Sequence, residues 1–255
     1  MRILVAFLFM MIVAGCNSSG NKKSKEAMDD TARMDNPPPA QKIDPVKGTS
    51  ADIPKSINVP GIVDQVWTWS DNAGKYLLIE STKDIYKEKG TESGDPENSG
   101  ELYAALYLVK DSDYSPVWTM SDSEKDCQFD ITCAFVKDAT SITDLDADGT
   151  AEITLIYRLA CRSDVSPAEM KLVMYEGKDK YMLKGFTWYG SPEDKFEVTE
   201  ANANLETLPG YKKTEEEFMK TWGRYESEKE FTGAPPEFLS HARNRWIRFV
   251  KEGGE

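Results

Sequence analysis

The sequence predicts a mainly β fold, an antiparallel, propeller-blade-like meander followed by C-terminal helices and α+β overall. Three observations predict it: runs of five to eight residues rich in β-branched and aromatic side chains recur through the middle of the chain, Gly, Asn and Asp separate them, and only the last fifth changes to helical spacing.

The chain opens with one charge, Arg2, and an unbroken apolar run over residues 3–14, the pattern of a secretory signal. The run is too short to span a bilayer, which needs roughly 20 apolar residues. It ends in Val13-Ala14-Gly15-Cys16, which resembles a bacterial lipobox, and polar Asn17-Ser18-Ser19-Gly20 follows. The resemblance implies cleavage before Cys16 and acylation of its thiol, so the membrane is an expected partner through the N-terminal lipid, since several acyl chains on one residue anchor stably. By likeness to enteric lipoproteins, Asn17 in place of Asp favours the outer membrane, with either its periplasmic or its cell-surface face open.

Residues 16–57 are expected to be the lipidated cysteine and a flexible linker. The stretch has no aromatic residue and is broken by Pro37-Pro38-Pro39, Pro45 and Pro54, so it lacks the material for a core. A tether of ~40 residues reaches about 35 Å on the square-root law. The folded part is expected at 58–255 as a single β-rich domain with C-terminal helices, because every aromatic residue after the signal lies from Trp67 onward.

The first expected strands are Val63–Trp69 and Lys75–Glu80 around the Asp71-Asn72-Ala73-Gly74 turn. Further ones are Leu102–Val109, Pro116–Met120, Ile131–Val136, Ala151–Arg158, Met170–Glu176 and Tyr181–Trp188, with Lys87–Gly100 expected as an exposed loop. In the last fifth, Thr214 with Glu217 has capping-box spacing and Phe218, Trp222 and Tyr225 recur at helical intervals. Pro235-Pro236 then opens a second helix with an apolar stripe of Phe238, Ala242, Trp246 and Phe249.

The full chain carries 44 acidic against 31 basic residues, a formal charge of −13, and losing Arg2 makes it −14. Such a surface disfavours a nucleic-acid partner and attracts divalent cations. Cys127, Cys133 and Cys161 follow Cys16, an odd count that permits one disulfide and one leftover thiol in an oxidising compartment. Cys127 with Cys161 is the favoured pair, because both adjoin polar turns while Cys133 sits on an apparent strand.

The sharpest chemical signal is Asp144-Leu145-Asp146-Ala147-Asp148-Gly149-Thr150-Ala151-Glu152. Alternate acids in a tightly curled loop converge on one point, a glycine at the sixth position takes the sharp turn, the Thr150 carbonyl adds an oxygen, and Glu152 closes the set. Hard Ca²⁺ takes six to eight such oxygens, so Ca²⁺ is the expected cofactor with Asp144, Asp146, Asp148, Thr150 and Glu152 as ligands. An EF-hand would need a bidentate Glu at the twelfth position, where Leu155 stands. The loop instead resembles the calcium loops of FG-GAP and integrin-type β-propeller blades, in which a strand begins immediately after the ninth residue.

No catalytic residue is assigned. The only histidine, His241, lies among Arg243, Arg245 and Arg248, away from any Ser-His-Asp pattern. Among 44 acids no catalytic pair stands out. Candidate glycan contacts are Trp67, Trp69 and Trp188 as stacking surfaces and Arg243, Arg245 and Arg248 as a basic patch, although strand tryptophans usually serve a core and arginines suit a helix C-terminus.

Asp126-Cys127-Gln128-Phe129-Asp130, the acidic loop, Cys161-Arg162-Ser163-Asp164-Val165-Ser166-Pro167 and Met170-Lys171-Leu172 together resemble a family of Bacteroidota-type surface lipoproteins described as surface polysaccharide biosynthesis proteins. The likeness spans roughly residues 100–190, with a looser match around Phe238 and Trp246. It implies a role connected with surface polysaccharide or envelope proteins rather than a particular reaction. The expected function is a noncatalytic binding or assembly domain, with a glycoside-hydrolase-type enzyme holding structural calcium, or a purely structural envelope lipoprotein, as alternatives.

Overall fold

The computed structural model describes residues 42–90, 92, 94–190 and 196–252. The expected signal peptide and Cys16 lie outside them. Among the described residues, no helix is long and apolar enough to cross a membrane.

The chain is mainly β, with two antiparallel sheets and a C-terminal helix. The first sheet is a simple meander of β1 (Val46–Gly48), β2 (Ile62–Asp71), β3 (Gly74–Lys89), β4 (Pro96–Lys110) and β5 (Asp113–Cys127) in sequence order. The second contains β6 (Asp130–Phe135), β7 (Ser141–Thr143), β8 (Glu152–Arg162), β9 (Glu169–Glu176) and β10 (Asp179–Phe186). Its order is β10-β9-β8, and β6 and β7 share the remaining edge of β8. A helix, α1 (Pro236–Phe249), ends the chain, and short 3₁₀ turns precede it.

Alternation along the strands sorts side chains into layers. Trp69, Tyr76, Leu78, Ala104 and Leu106 of the first sheet pack against Ile153 and Leu155 of the second. Beside them, Leu102 meets Cys133, Tyr157, Leu159, Val173 and Tyr175. Trp118 on β5 stacks on Tyr175 of β9 with ring centroids 4.1 Å apart. The sheets therefore pack face to face, within the mainly β fold with a C-terminal helix that the sequence predicts. The opposite face of β8 and β9 carries Ile156, Met170, Leu172 and Met174, covered by Tyr225, Phe238, Ala242 and Trp246. Because β8 is covered on both faces, its sequence is almost continuously apolar rather than alternating.

Four expectations need correction. Residues 46–48, placed in the linker, pair with β2, and Ile53, Ile57 and Val59 cover Val66, Leu77 and Ile79 on the outer face of the first sheet. Scattered Ile and Val suffice to cover a sheet face without any aromatic residue. The expected loop at Lys87–Gly100 is mostly strand: Tyr86 pairs with Ser99, Lys87 with Asn98 and Glu88 with Glu97. The strand expected at Pro116–Met120 extends over Asp113–Cys127. Finally, the helix expected after Thr214 is a 3₁₀ segment, Glu215–Thr221, in which the Thr214 side chain makes no cap. The Glu217 carboxylate instead accepts from the Lys212 N–H at 2.7 Å, and Gly223 then takes φ +79°, so the chain leaves the helical path before Tyr225.

Tyr225 forms isolated bridges with Gly185 and Asn204. A Cβ on Gly185 would lie 2.0 Å from the Arg224 carbonyl oxygen, so only glycine permits this approach. In α1, Phe238, Ala242 and Trp246 are fully buried, and the Trp246 indole donates to the Gly223 carbonyl at 3.0 Å. Cys127 at the end of β5 is disulfide-bonded to Cys161 on β8, which joins the two sheets, while Cys133 is a free buried thiol.

Candidate metal centre

The acidic loop connects β7 to β8, whose facing ends are Thr143 and Glu152. Short side chains organise its backbone. Asp144 Oδ1 accepts from Gly149 N at 3.3 Å, Asp146 Oδ1 from Asp148 N at 3.3 Å, and Asp148 Oδ1 from Thr150 N at 2.6 Å. Asp146 and Asp148 thus make Asx-type turns, and Asp144 closes the loop across five residues. Ala147 and Gly149 take positive φ, +60° and +83°.

Glu152 is completely buried. Its Oε2 accepts from Leu145 N at 2.8 Å and Thr143 Oγ1 at 3.2 Å, whereas Oε1 is buried without a partner. Burial pushes its carboxyl up to about 7, against the lowering effect of the Leu145 and Thr143 hydrogen bonds, and the charges of Asp146 and Glu176 push in the same direction as burial. One oxygen each from Asp144, Asp146 and Glu152 lie within 4.8 Å of one another. Oxygens this close can share one Ca²⁺, whose ligands at 2.3–2.6 Å are separated by at most about 5 Å. The chemistry of the set, hard carboxylate oxygens with one buried and open, fits calcium.

A further residue joins the group. Oxygens of Asp146, Asp148 and Glu176 form a second set within the same 4.8 Å limit. Glu176 faces Glu152 directly across the β8–β9 pair, and Asp179 faces Glu176 across β9–β10. Like charges facing each other on one sheet repel, and the Glu176 carboxyl is raised first by burial and then by Asp146, Asp148 and Asp179. Sequence spacing pointed only to ligands within nine residues. Glu176 is twenty-four residues beyond Glu152, and only the strand register brings it there.

The loop is also fastened to the first sheet. Asn72, in the β2–β3 turn, accepts nothing from it but donates twice: its backbone N–H to the Gly149 carbonyl and its side-chain amide to the Asp148 carbonyl, both at 2.9 Å. Asp71 Oδ2 accepts from Ala151 N at 3.3 Å. Asn72 fits against the bare Cα of Gly149, where a Cβ would sit 2.1 Å from its side-chain nitrogen. The chain matches no family model, no curated protein and no solved structure. The chemistry of the site is therefore read from its own atoms.

The candidate glycan contacts do not form one surface. Trp69 is 4% exposed and stacks on Tyr76 at 5.4 Å, and Trp67 packs into the same layer between the sheets. Trp188 lies against Phe196 and Trp222, on the helix side of the second sheet. Arg243 grips the Glu228 carboxylate through Nε at 2.8 Å and Nη2 at 2.6 Å. Arg245 donates to the Ala139 carbonyl, and Arg248 lies over the Phe249 ring. Trp67, Trp69, Trp188, Arg243 and Arg245 thus pack or pair within the fold, while Arg248 is exposed. His241 Nε2 lies 3.3 Å from Ser141 Oγ, and burial, helped by Arg245, lowers the imidazole to about 4. It is a poor base at neutral pH.

Proposed function

We infer that the protein is a lipid-anchored protein of the outer membrane whose β-rich domain binds Ca²⁺ and serves as a noncatalytic binding or assembly module linked to surface polysaccharide. The observation that carries the calcium reading is the open Oε1 of Glu152, fully buried beside Asp144 and Asp146. Burying a carboxylate oxygen with no donor is unfavourable by several kcal/mol unless a proton or a cation meets it. Ca²⁺ held by Asp144, Asp146, Asp148, the Thr150 carbonyl and Glu152, with Glu176 alongside, supplies that charge. At 100 times its dissociation constant a ligand adds about 2.7 kcal/mol to stability.

The lipobox-like Val13-Ala14-Gly15-Cys16 supports the anchor, and the weakly basic, enclosed His241 supports a binding rather than catalytic role. The resemblance around Cys161–Pro167 supports the polysaccharide connection. The experiment is calorimetric titration of the chelator-stripped full chain with CaCl₂, paired with thermal melts. Binding at or below millimolar Ca²⁺, a raised Tm, and loss of both in Asp146→Asn are expected; neither heat nor a shift at millimolar Ca²⁺ would overturn the calcium reading.

A further inference from the structure

A sizeable cavity lies away from the acidic loop. It has a volume of about 750 Å³ and is walled by the end of β10 and the 3₁₀ segments that follow. Ligand sites typically measure about 300–1,000 Å³ and combine an apolar lining with a few convergent polar groups. Here buried Leu205 and Thr221 contribute to the lining, together with Phe186 and Phe218, whose rings meet edge to face at 5.4 Å. Phe218 is 41% exposed, so part of its ring is open to the cavity side.

The polar part of the lining is equally defined. Glu206, Glu215 and Glu226 face it, with Lys213 and Lys229, and Thr214, Ser227 and Tyr211 add hydroxyls. Lys229 is already ion-paired with Glu206. Three acids against two lysines leave one negative charge in excess, which opposes an acidic ligand.

The walls are irregular but held. The guanidinium of Arg224, 8% exposed, donates through Nε to the Asn202 carbonyl at 2.7 Å and through Nη1 to the carbonyls of Lys220 and Trp222, at 2.7 and 3.2 Å. Leu205 N donates to Tyr225 O, Tyr225 N to Ala203 O, and Phe186 N to Arg224 O. One buried cation and a run of backbone bonds therefore set the turns around the cavity before any ligand arrives, the condition under which binding energy is not lost to ordering.

We propose that this cavity is a saccharide-binding site for a neutral or amine-bearing sugar. A pyranose has an apolar face of C–H groups and a rim of hydroxyls. The Phe186 and Phe218 rings match the face, and the carboxylates of Glu215 and Glu226 accept from hydroxyls on the rim. Uronic and sialic acids are disfavoured by the excess negative charge. The inference deepens the polysaccharide-linked function proposed above and rests on it, by naming where the glycan sits and which glycans fit.

The test uses the Ca²⁺-loaded full chain, titrated by calorimetry and saturation-transfer NMR with glucose, galactose, N-acetylglucosamine and glucosamine oligomers, an oligouronate, and a lysine-rich peptide. Neutral or amino-sugar oligomers are expected to bind, the oligouronate not. Phe218→Ala and Glu215→Gln, which alter residues on the cavity surface, are each expected to weaken binding about 10-fold while circular dichroism stays unchanged. Sugar binding that both variants leave intact overturns this site and leaves the glycan-linked function standing. Binding of the peptide alone, or of the oligouronate in preference, overturns the ligand class. No binding to any sugar by the wild type overturns both the site and the polysaccharide connection.

Discussion

Replacing Glu80 by Gln is expected to stabilise the protein, and to do so more strongly as the pH rises. Glu80 lies on β3 and is fully buried. Thr140 Oγ1 donates to its Oε1 at 2.8 Å and Gln65 Nε2 approaches Oε2 at 3.4 Å. Burial pushes the carboxyl up to about 7 from 4.5; the Thr140 hydrogen bond and the more distant Lys47 oppose the rise, and Asp64 adds to it. Because the folded state holds this proton more tightly than the unfolded chain, the stability due to Glu80 is complete below pH 4.5 and is lost as the pH rises to about 7. At about 1.4 kcal/mol per pKa unit, the loss is about 1 kcal/mol at pH 5 and about 3 kcal/mol at pH 8.5. Gln removes the ionisation but keeps the shape. The buried, unpartnered Gln65 Oε1 accepts the new amide once that side chain turns over. Urea unfolding of both proteins, followed by tryptophan fluorescence at pH 5 and 8.5 with Ca²⁺ fixed, measures the difference. An equal stability difference at the two pH values, or a variant less stable at pH 8.5, would refute the reasoning.

Glu176→Gln is expected to lower Ca²⁺ affinity by about 10-fold, read by calorimetry, because it removes a carboxylate adjoining the loop. The same substitution relieves repulsion with Glu152 and is expected to raise Tm in chelator. Gly149→Ala introduces a Cβ at φ +83° against Asn72, and the backbone conformation alone is expected to cost about 1–2 kcal/mol in denaturant unfolding, with a further loss of Ca²⁺ affinity. Removing the Cys127–Cys161 disulfide through a double Ala variant is expected to cost roughly 4 kcal/mol, the chain-entropy value for a bridge spanning 34 residues. Unchanged urea midpoints in either of these last two variants would contradict the roles given to Gly149 and the disulfide.

The parts of the fold legible in the sequence are those whose partners are close along the chain. The acidic loop shows itself because Asp144 to Glu152 are contiguous, and β8 because its apolar run needs no partner to be recognised. The distal half of the β3–β4 hairpin hides because its alternating Lys and Glu look solvated. In the fold, Glu97 is 5% exposed, and Gln128 from the next connection donates to it at 2.9 Å. A partly buried polar hairpin of this kind is visible only once its neighbours are in place. The 3₁₀ path after Thr214 carries a true helical spacing of aromatics, but Tyr225 is drawn into backbone bridges with Gly185 and Asn204, and that tertiary pairing overrides local preference. Glu176 and Asn72 were invisible for the same reason: one depends on strand register and the other on how two sheets meet.

Two fasteners act on one strand. Near the beginning of β8, Ala151 is tied through Asp71 to the first sheet, and near its end Cys161 is tied through Cys127 to β5. The ten residue steps between them span about 30 Å. Fasteners at both ends of one strand oppose a swivel of the sheets about either one alone, in addition to the apolar layer between them. One is covalent and forms in an oxidising compartment, and the other adjoins the proposed Ca²⁺ loop, so oxidation and the proposed cation act at opposite ends of β8.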